Sequence, residues 1–149
     1  MKNKQAATKI LALLGTGLLW FPSAATILIS IIGTIAAGQF LFDYLMPAEL
    51  SLFAIVGGGL LLWAAIRLRS RIWLVAGGVA SMVLTLLGSQ GLAVVSGLAS
   101  GENPPNGVMF TVVVSMLAVH ALLQIALAVL GVFILQEIKA SNAKQQSML

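Results

Sequence analysis

The sequence predicts an all-α membrane protein, an antiparallel bundle of four transmembrane helices with both termini on the cytoplasmic side. Three observations predict this class. The 149 residues are 60% hydrophobic and only 8% charged, and the mean hydropathy is +1.07. The apolar residues form four stretches, each long enough to cross a bilayer as a helix. The charged residues lie at the ends of these stretches, where they set the orientation.

The charges alternate along the chain between the two sides of the predicted membrane. The eight lysines and arginines fall before the first stretch, after the second and after the fourth. The acids fall after the first and third stretches, apart from Glu137 near the C-terminus. Because basic residues are retained on the cytoplasmic side, the pattern predicts a multi-pass protein of the cytoplasmic (inner) membrane. Basic residues scattered in this way favour lipid headgroups over nucleic acid as the partner, although the pI is about 10.0.

The first stretch is the longest, and Pro22 divides it. Residues 10–21 predict a short leading helix, and residues 23–42 are long enough to span the membrane alone. Since proline removes a backbone hydrogen bond, we expect a kinked or split helix here. The same residues also fit a signal peptide cleaved after Ala25. Cleavage would place Arg67–Arg71 outside and reverse the charge pattern, so the sequence favours the uncleaved chain.

The second and third stretches predict a tight helical hairpin. The second span covers residues 50–66, and the third covers residues 72–98 after a short arginine-rich turn. We expect the third helix to break near residues 88–91, where glycines and polar residues reach the outer interface. The centre of the second span holds a run of three glycines, which let another backbone approach closely: Gly57, Gly58 and Gly59.

The fourth span covers residues 108–135 and follows a loop rich in glycine and proline. Residues 136–149 predict a polar cytoplasmic tail, most of it disordered. The segments outside the four spans are too short to hold a hydrophobic core. The whole chain, residues 1–149, is therefore expected to form a single membrane domain.

Two stripes of small residues recur at four-residue spacing, which places each stripe on one helical face. Small residues let membrane helices approach closely, so we interpret both stripes as packing faces, with a seam between the first and third helices. The wall of a polar pathway is the alternative. The first stripe contains Thr26, Ser30, Thr34 and Gly38, and the second contains Gly77, Ser81, Thr85 and Ser89.

His120 is the only histidine, and it lies near the middle of the fourth span. Gln124 follows one turn later on the same face. An ionisable residue at this depth is a candidate for proton relay, ligand contact or haem ligation. Since no predicted span holds an acid or a second histidine, the favoured interpretation is structural. The neutral ring would then bond to Gln124 or to a hydroxyl of a neighbouring helix.

The sequence predicts no catalytic residue, metal site or cofactor. It has no cysteine, and it shows no nucleophile–base pair, acid dyad or metal-ligand set. We therefore expect a non-enzymatic accessory or structural subunit that packs with itself, as a homo-oligomer, or with a larger membrane complex. The alternative is a small oligomeric transporter or channel in which His120 and Gln124 face the pathway.

Overall fold

The structure is a computed structural model that describes residues 2–37, 48–104 and 106–146. Within these ranges it consists of α-helices and turns, without a strand. Each helix has a segment long and apolar enough to cross a membrane. This confirms the all-α class with four candidate membrane helices. The helices are α1 (Lys2–Ala37), α2 (Ala48–Leu68), α3 (Ile72–Val95) and α4 (Gly107–Gln146).

The helices differ from the sequence prediction in three places. α1 continues through Pro22, so residues 10–21 belong to one long helix and are not a separate leading helix. α3 continues through residues 88–91 without the expected break and ends at Val95. α4 continues to Gln146, so most of the segment predicted as a disordered tail is helical. The bend expected within α1 stays a prediction.

Tertiary packing explains why helix-breaking and polar residues remain helical. Pro22 and Ser89 are buried against other parts of the bundle, and Ile138 in the former tail is only 4% exposed. Packing of a buried face contributes more to helix stability in proteins than the intrinsic propensity of single residues. Packing therefore keeps these three positions helical.

The four helices run antiparallel to their neighbours in the chain. Phe21 of α1 makes an edge-to-face contact with Phe53 of α2, with ring centroids 5.4 Å apart, whereas the earlier Gly15 lies against the later Leu61. α1 packs against α2 and α4, and α3 packs against α4 and α2. The start of α1, the α2–α3 turn and the end of α4 therefore share one end of the bundle.

A tight turn and an ion pair hold this end together. Arg69 and Arg71 adopt left-handed backbone conformations, with φ values of 56° and 54°, which reverse the chain between α2 and α3. The Nε of Arg71 donates to Glu137 Oε1 of α4 at 2.8 Å, and Ser70 Oγ donates to Glu137 Oε2 at 2.7 Å. The turn and the C-terminal part of α4 are thus joined directly, although Glu137 is an acid on the basic end.

The predicted seam between the first and third helices is wrong. Among the described residues α1 and α3 make no contact, because they occupy opposite corners of the bundle. Gly77 and Ser81 instead lie on the exposed side of α3, and a Cβ at Gly77 would meet no atom within 4 Å. A four-residue spacing identifies a face of a helix but not the neighbour that the face meets.

The remaining stripe residues differ in their surroundings. Thr26 and Thr85 are half-buried, and each hydroxyl donates to a carbonyl of its own helix, at 2.8 Å to Pro22 O and 2.9 Å to Ser81 O. The side chains of Ser30 and Thr34, together with Gly38, lie outside the described residues.

The first half of α1 provides its packing face. The buried residues recur every three or four positions, whereas Ile31, Ile32 and Ile35 in the second half are exposed. The candidate membrane segment of α1 is Ala6–Leu28, earlier than the predicted span at residues 23–42. The buried positions of α1 are Thr8, Ala12, Gly15, Thr16, Leu19 and Pro22.

Glycines permit a backbone-to-backbone contact between α1 and α2. A Cβ at Gly15 would lie 2.8 Å from both Gly57 O and Leu61 N, and a Cβ at Gly57 would lie 2.9 Å from Gly15 O. Gly58 lies against Val79 of α3, whereas Gly59 has open space around it. The three central glycines of α2 thus have different surroundings: Gly57 faces α1, Gly58 faces α3, and Gly59 faces the outside of the bundle.

We expect Gly15→Ala to lower the free energy of unfolding by about 1–3 kcal/mol, because the added methyl group meets backbone atoms that cannot rotate away. SDS titration of the detergent-solubilised protein measures this change. Gly17→Ala is the matched control, since a Cβ there meets no atom within 4 Å. Equal losses of stability in the two variants would contradict the close contact.

Candidate functional site

Two long polar side chains of α4 are fully buried in the middle of the bundle. His120 and Gln124 are each 0% exposed. Their spacing of four residues places them on the same face of the helix. This face meets α3 on one side and α1 on the other, so the two side chains lie where three helices come together.

His120 bonds to the backbone of α3. Its Nδ1 lies 3.0 Å from the carbonyl oxygen of Met82, which also accepts a bond from Thr85 Oγ1 at 3.0 Å. Because a carbonyl can only accept, Nδ1 must carry the proton. In the neutral ring Nε2 then presents a lone pair. The predicted bond to Gln124 or to a hydroxyl is therefore wrong: the ring bonds to a backbone carbonyl.

Gln124 bonds to α1. Its Nε2 donates to the carbonyl oxygen of Leu19 at 2.9 Å and to Ser23 Oγ at 3.1 Å. The opposite amide orientation would place the side-chain oxygen against the Leu19 carbonyl, where two acceptors repel each other. This contact fixes the amide orientation, so Oε1 points away from α1.

Two buried acceptor atoms remain at this site. Among the described residues neither His120 Nε2 nor Gln124 Oε1 has a hydrogen-bond partner. A buried polar atom without a partner costs about 1–3 kcal/mol, so it requires an explanation in a packed interior. The donor atoms of the two side chains thus link α4 to α3 and α1, whereas their acceptor atoms lack a partner among the described residues.

Six hydroxyls in the described parts of the helices are satisfied locally. Each of these donates to a carbonyl three or four residues earlier on its own helix, which is how serine and threonine satisfy themselves in membrane helices. They include the hydroxyls of Thr26 and Thr85 from the predicted stripes. The donor–acceptor pairs are Thr16–Ala12, Thr26–Pro22, Thr85–Ser81, Ser89–Leu86, Thr111–Gly107 and Ser115–Thr111.

A groove of about 570 Å³ lies between α3 and the first half of α4, separate from His120 and Gln124. It is open along the side of the bundle, and its surface is mainly apolar. The hydroxyls beside it bond to their own helices, so the groove offers few free polar groups. Its lining residues are Thr85, Gly107, Val108, Thr111, Val112, Ser115, Met116 and Val119.

Sequence reasoning found His120 and Gln124 but missed their partners. The Leu19 and Met82 partners are backbone carbonyls, which every residue carries, so no residue type identifies them. Ser23 did give a signal, because it lies one turn after Leu19 on the buried face of α1. Positions 12, 16, 19 and 23 show the spacing of a packed helical face.

We expect Gln124→Leu to lower the free energy of unfolding by about 1 kcal/mol, because it removes two bonds between α4 and α1 but also removes the unsatisfied Oε1. SDS titration measures the change. Gln90→Leu, at an exposed position of α3, is the control and should leave the unfolding midpoint unchanged. If both variants unfold at the wild-type midpoint, Gln124 does not hold α1 and α4 together.

Comparisons with known proteins assign no family to this chain. No protein-family model matches the sequence, and no curated protein or solved structure matches it. The function therefore has to be inferred from the residues themselves, chiefly the polar pair on α4 and the outer faces of the bundle.

Proposed function

We propose that this small integral membrane protein is a non-enzymatic accessory or structural subunit that packs with itself or with a larger membrane complex. The observation that carries the proposal is the local satisfaction of the hydroxyls. A polar pathway needs groups that can bind a passing solute, whereas these hydroxyls donate to carbonyls of their own helices. They serve helix packing in this arrangement.

The close packing of the interior supports the same role. A Cβ at Gly78 would lie 2.7 Å from Leu127 Cδ2, and a Cβ at Gly131 would clash with the Thr16 side chain. Glycines at helix crossings of this kind keep neighbouring helices at short distances. A bundle held so closely is suited to present a fixed outer surface.

The exposed side of α3 is the surface that we assign to lateral association. Gly77 and Ser81 are exposed there, next to the large apolar Trp73 and Leu84, which are 89% and 69% exposed. Two small residues four positions apart allow the backbone of a second helix to approach, and the large residues supply contact area around it. A second copy or a larger partner would use the same geometry.

The charge distribution supports an orientation with both termini in the cytoplasm. Lys9, the arginines of the α2–α3 turn and Lys139 lie toward the same end of the bundle, because the helices alternate in direction. Glu102 lies in the α3–α4 connection at the opposite end. Basic residues mark the cytoplasmic side of membrane proteins.

Single cysteines test this orientation, since the natural chain contains none. In intact cells we expect a membrane-impermeant maleimide to label Glu102→Cys. Ser70→Cys and Ser141→Cys should stay unlabelled until the cells are lysed. The unsubstituted chain is the control for background. Labelling of Ser70→Cys in intact cells would overturn the orientation.

Replacement of small residues on α3 tests lateral association. We expect Gly77→Leu to reduce the native protein, or its complex, to monomers in mild detergent. The larger side chain blocks the approach of a second helix, whereas its Cβ meets no atom of its own bundle within 4 Å. Light scattering after gel filtration measures the mass of the assembly, and co-purification shows whether a partner remains bound. Gly17→Leu, at an open position of α1, should retain the wild-type assembly. A wild-type chain that purifies alone as a monomer would refute the accessory role.

A small oligomeric transporter or channel is the second candidate function. One observation favours it: His120 and Gln124 each keep a buried acceptor atom without a partner among the described residues. Unsatisfied polar atoms inside a membrane helix bundle are typical of binding or relay positions. A proton or solute flux in reconstituted vesicles that His120→Phe abolishes, with assembly intact, would favour this function over the accessory role.

A further inference from the structure

The two unsatisfied acceptors on α4 define a binding site for a small donor molecule. We propose that His120 Nε2 and Gln124 Oε1 together bind one water molecule at the junction of α1, α3 and α4. Both atoms are in side chains that are 0% exposed, and neither has a partner among the described residues. The proposal is independent of whether the chain acts as an accessory subunit or as a transporter.

The chemistry of the two atoms selects the ligand. Nδ1 of His120 is already a donor to Met82 O, so in the neutral ring Nε2 can only accept. Gln124 Oε1 is a carbonyl oxygen and can only accept as well. The ligand must therefore donate two hydrogen bonds. This requirement excludes anions, carbonyl compounds and apolar molecules.

A direct bond between the two side chains would need a second proton on the ring. Nε2 could then donate to Oε1, but the ring would be a cation inside the bundle. The described charged side chains lie at the helix ends, and an unpaired charge away from water is costly. A neutral donor satisfies both acceptors without that cost.

The placement of the two residues fits one shared ligand. Side chains four residues apart lie on the same face of a helix, with Cβ atoms about 5–6 Å apart, so one small molecule between them can reach both side chains. Buried water in proteins typically occupies such positions, between polar groups that would otherwise lack partners.

The water molecule completes a chain of hydrogen bonds across the bundle. The chain runs from the Met82 carbonyl of α3 through the imidazole to the water, and through Gln124 to the Leu19 carbonyl of α1. All five groups are neutral. The three helices are thereby linked at one depth without a charge.

The single histidine makes a site-specific test available. Histidine labelled with ¹⁵N in the imidazole ring, incorporated into the full chain with a histidine-free affinity tag, reports on His120 alone. In bilayers, solid-state NMR is expected to show a protonated Nδ1 and an unprotonated, hydrogen-bonded Nε2. Polarisation transfer from water protons to Nε2 and an isotope shift of its resonance in D₂O are also expected.

Two variants make the assignment specific. In Gln124→Met the transfer from water to Nε2 is expected to be lost, because the water loses one of its two anchors, whereas Ser115→Ala should retain it. A protonated Nε2 in the wild-type chain would overturn the proposal. An unprotonated Nε2 without water transfer or isotope shift would also overturn it. The wild-type measurements decide the question even if Gln124→Met does not fold.

Discussion

The contact between Gly15 and Gly57 sets the distance between α1 and α2, and much of the bundle depends on it. With a hydrogen in place of a side chain at both positions, backbone meets backbone. α1 is thereby held where Thr16 lies against Gly131 and the Leu19 carbonyl is within reach of Gln124. Lipid provides no hydrophobic force to bring helices together, so close van der Waals contact has to supply the attraction.

The lipid surroundings also explain how the polar groups are arranged, because lipid chains offer no hydrogen-bond partners. Backbone and side-chain donors inside a membrane must find partners within the protein. Hydroxyls do so on their own helix, as at Thr16 and Ser89. His120 and Gln124 have longer side chains, and their donors reach carbonyls of other helices. The longer side chains of His120 and Gln124 therefore link helices, whereas the hydroxyls of Thr16 and Ser89 bond within their own helix.

The sequence predicts the helix number, the charged ends and the position of the polar pair, because each depends on composition or spacing along one helix. It does not predict which helices are neighbours. In a membrane both the inner and outer faces are apolar, so the amphipathic signal that reveals a buried face in soluble proteins is weak. Gly77 and Ser81 look like an inner seam for this reason, yet they are exposed. The helix limits differ from the predicted ones where packing outweighs propensity, as at Pro22 and Ile138.

α4 packs against all three helices that precede it, and it carries the buried side chains of His120 and Gln124. This has a consequence for biosynthesis. While the chain emerges from the ribosome, the first three helices can enter the membrane, where α2 contacts both α1 and α3. The arrival of α4 adds direct contacts with α1 and with α3. A nascent chain halted before that point exposes to the lipid the faces of α1 and α3 that α4 covers in the complete bundle.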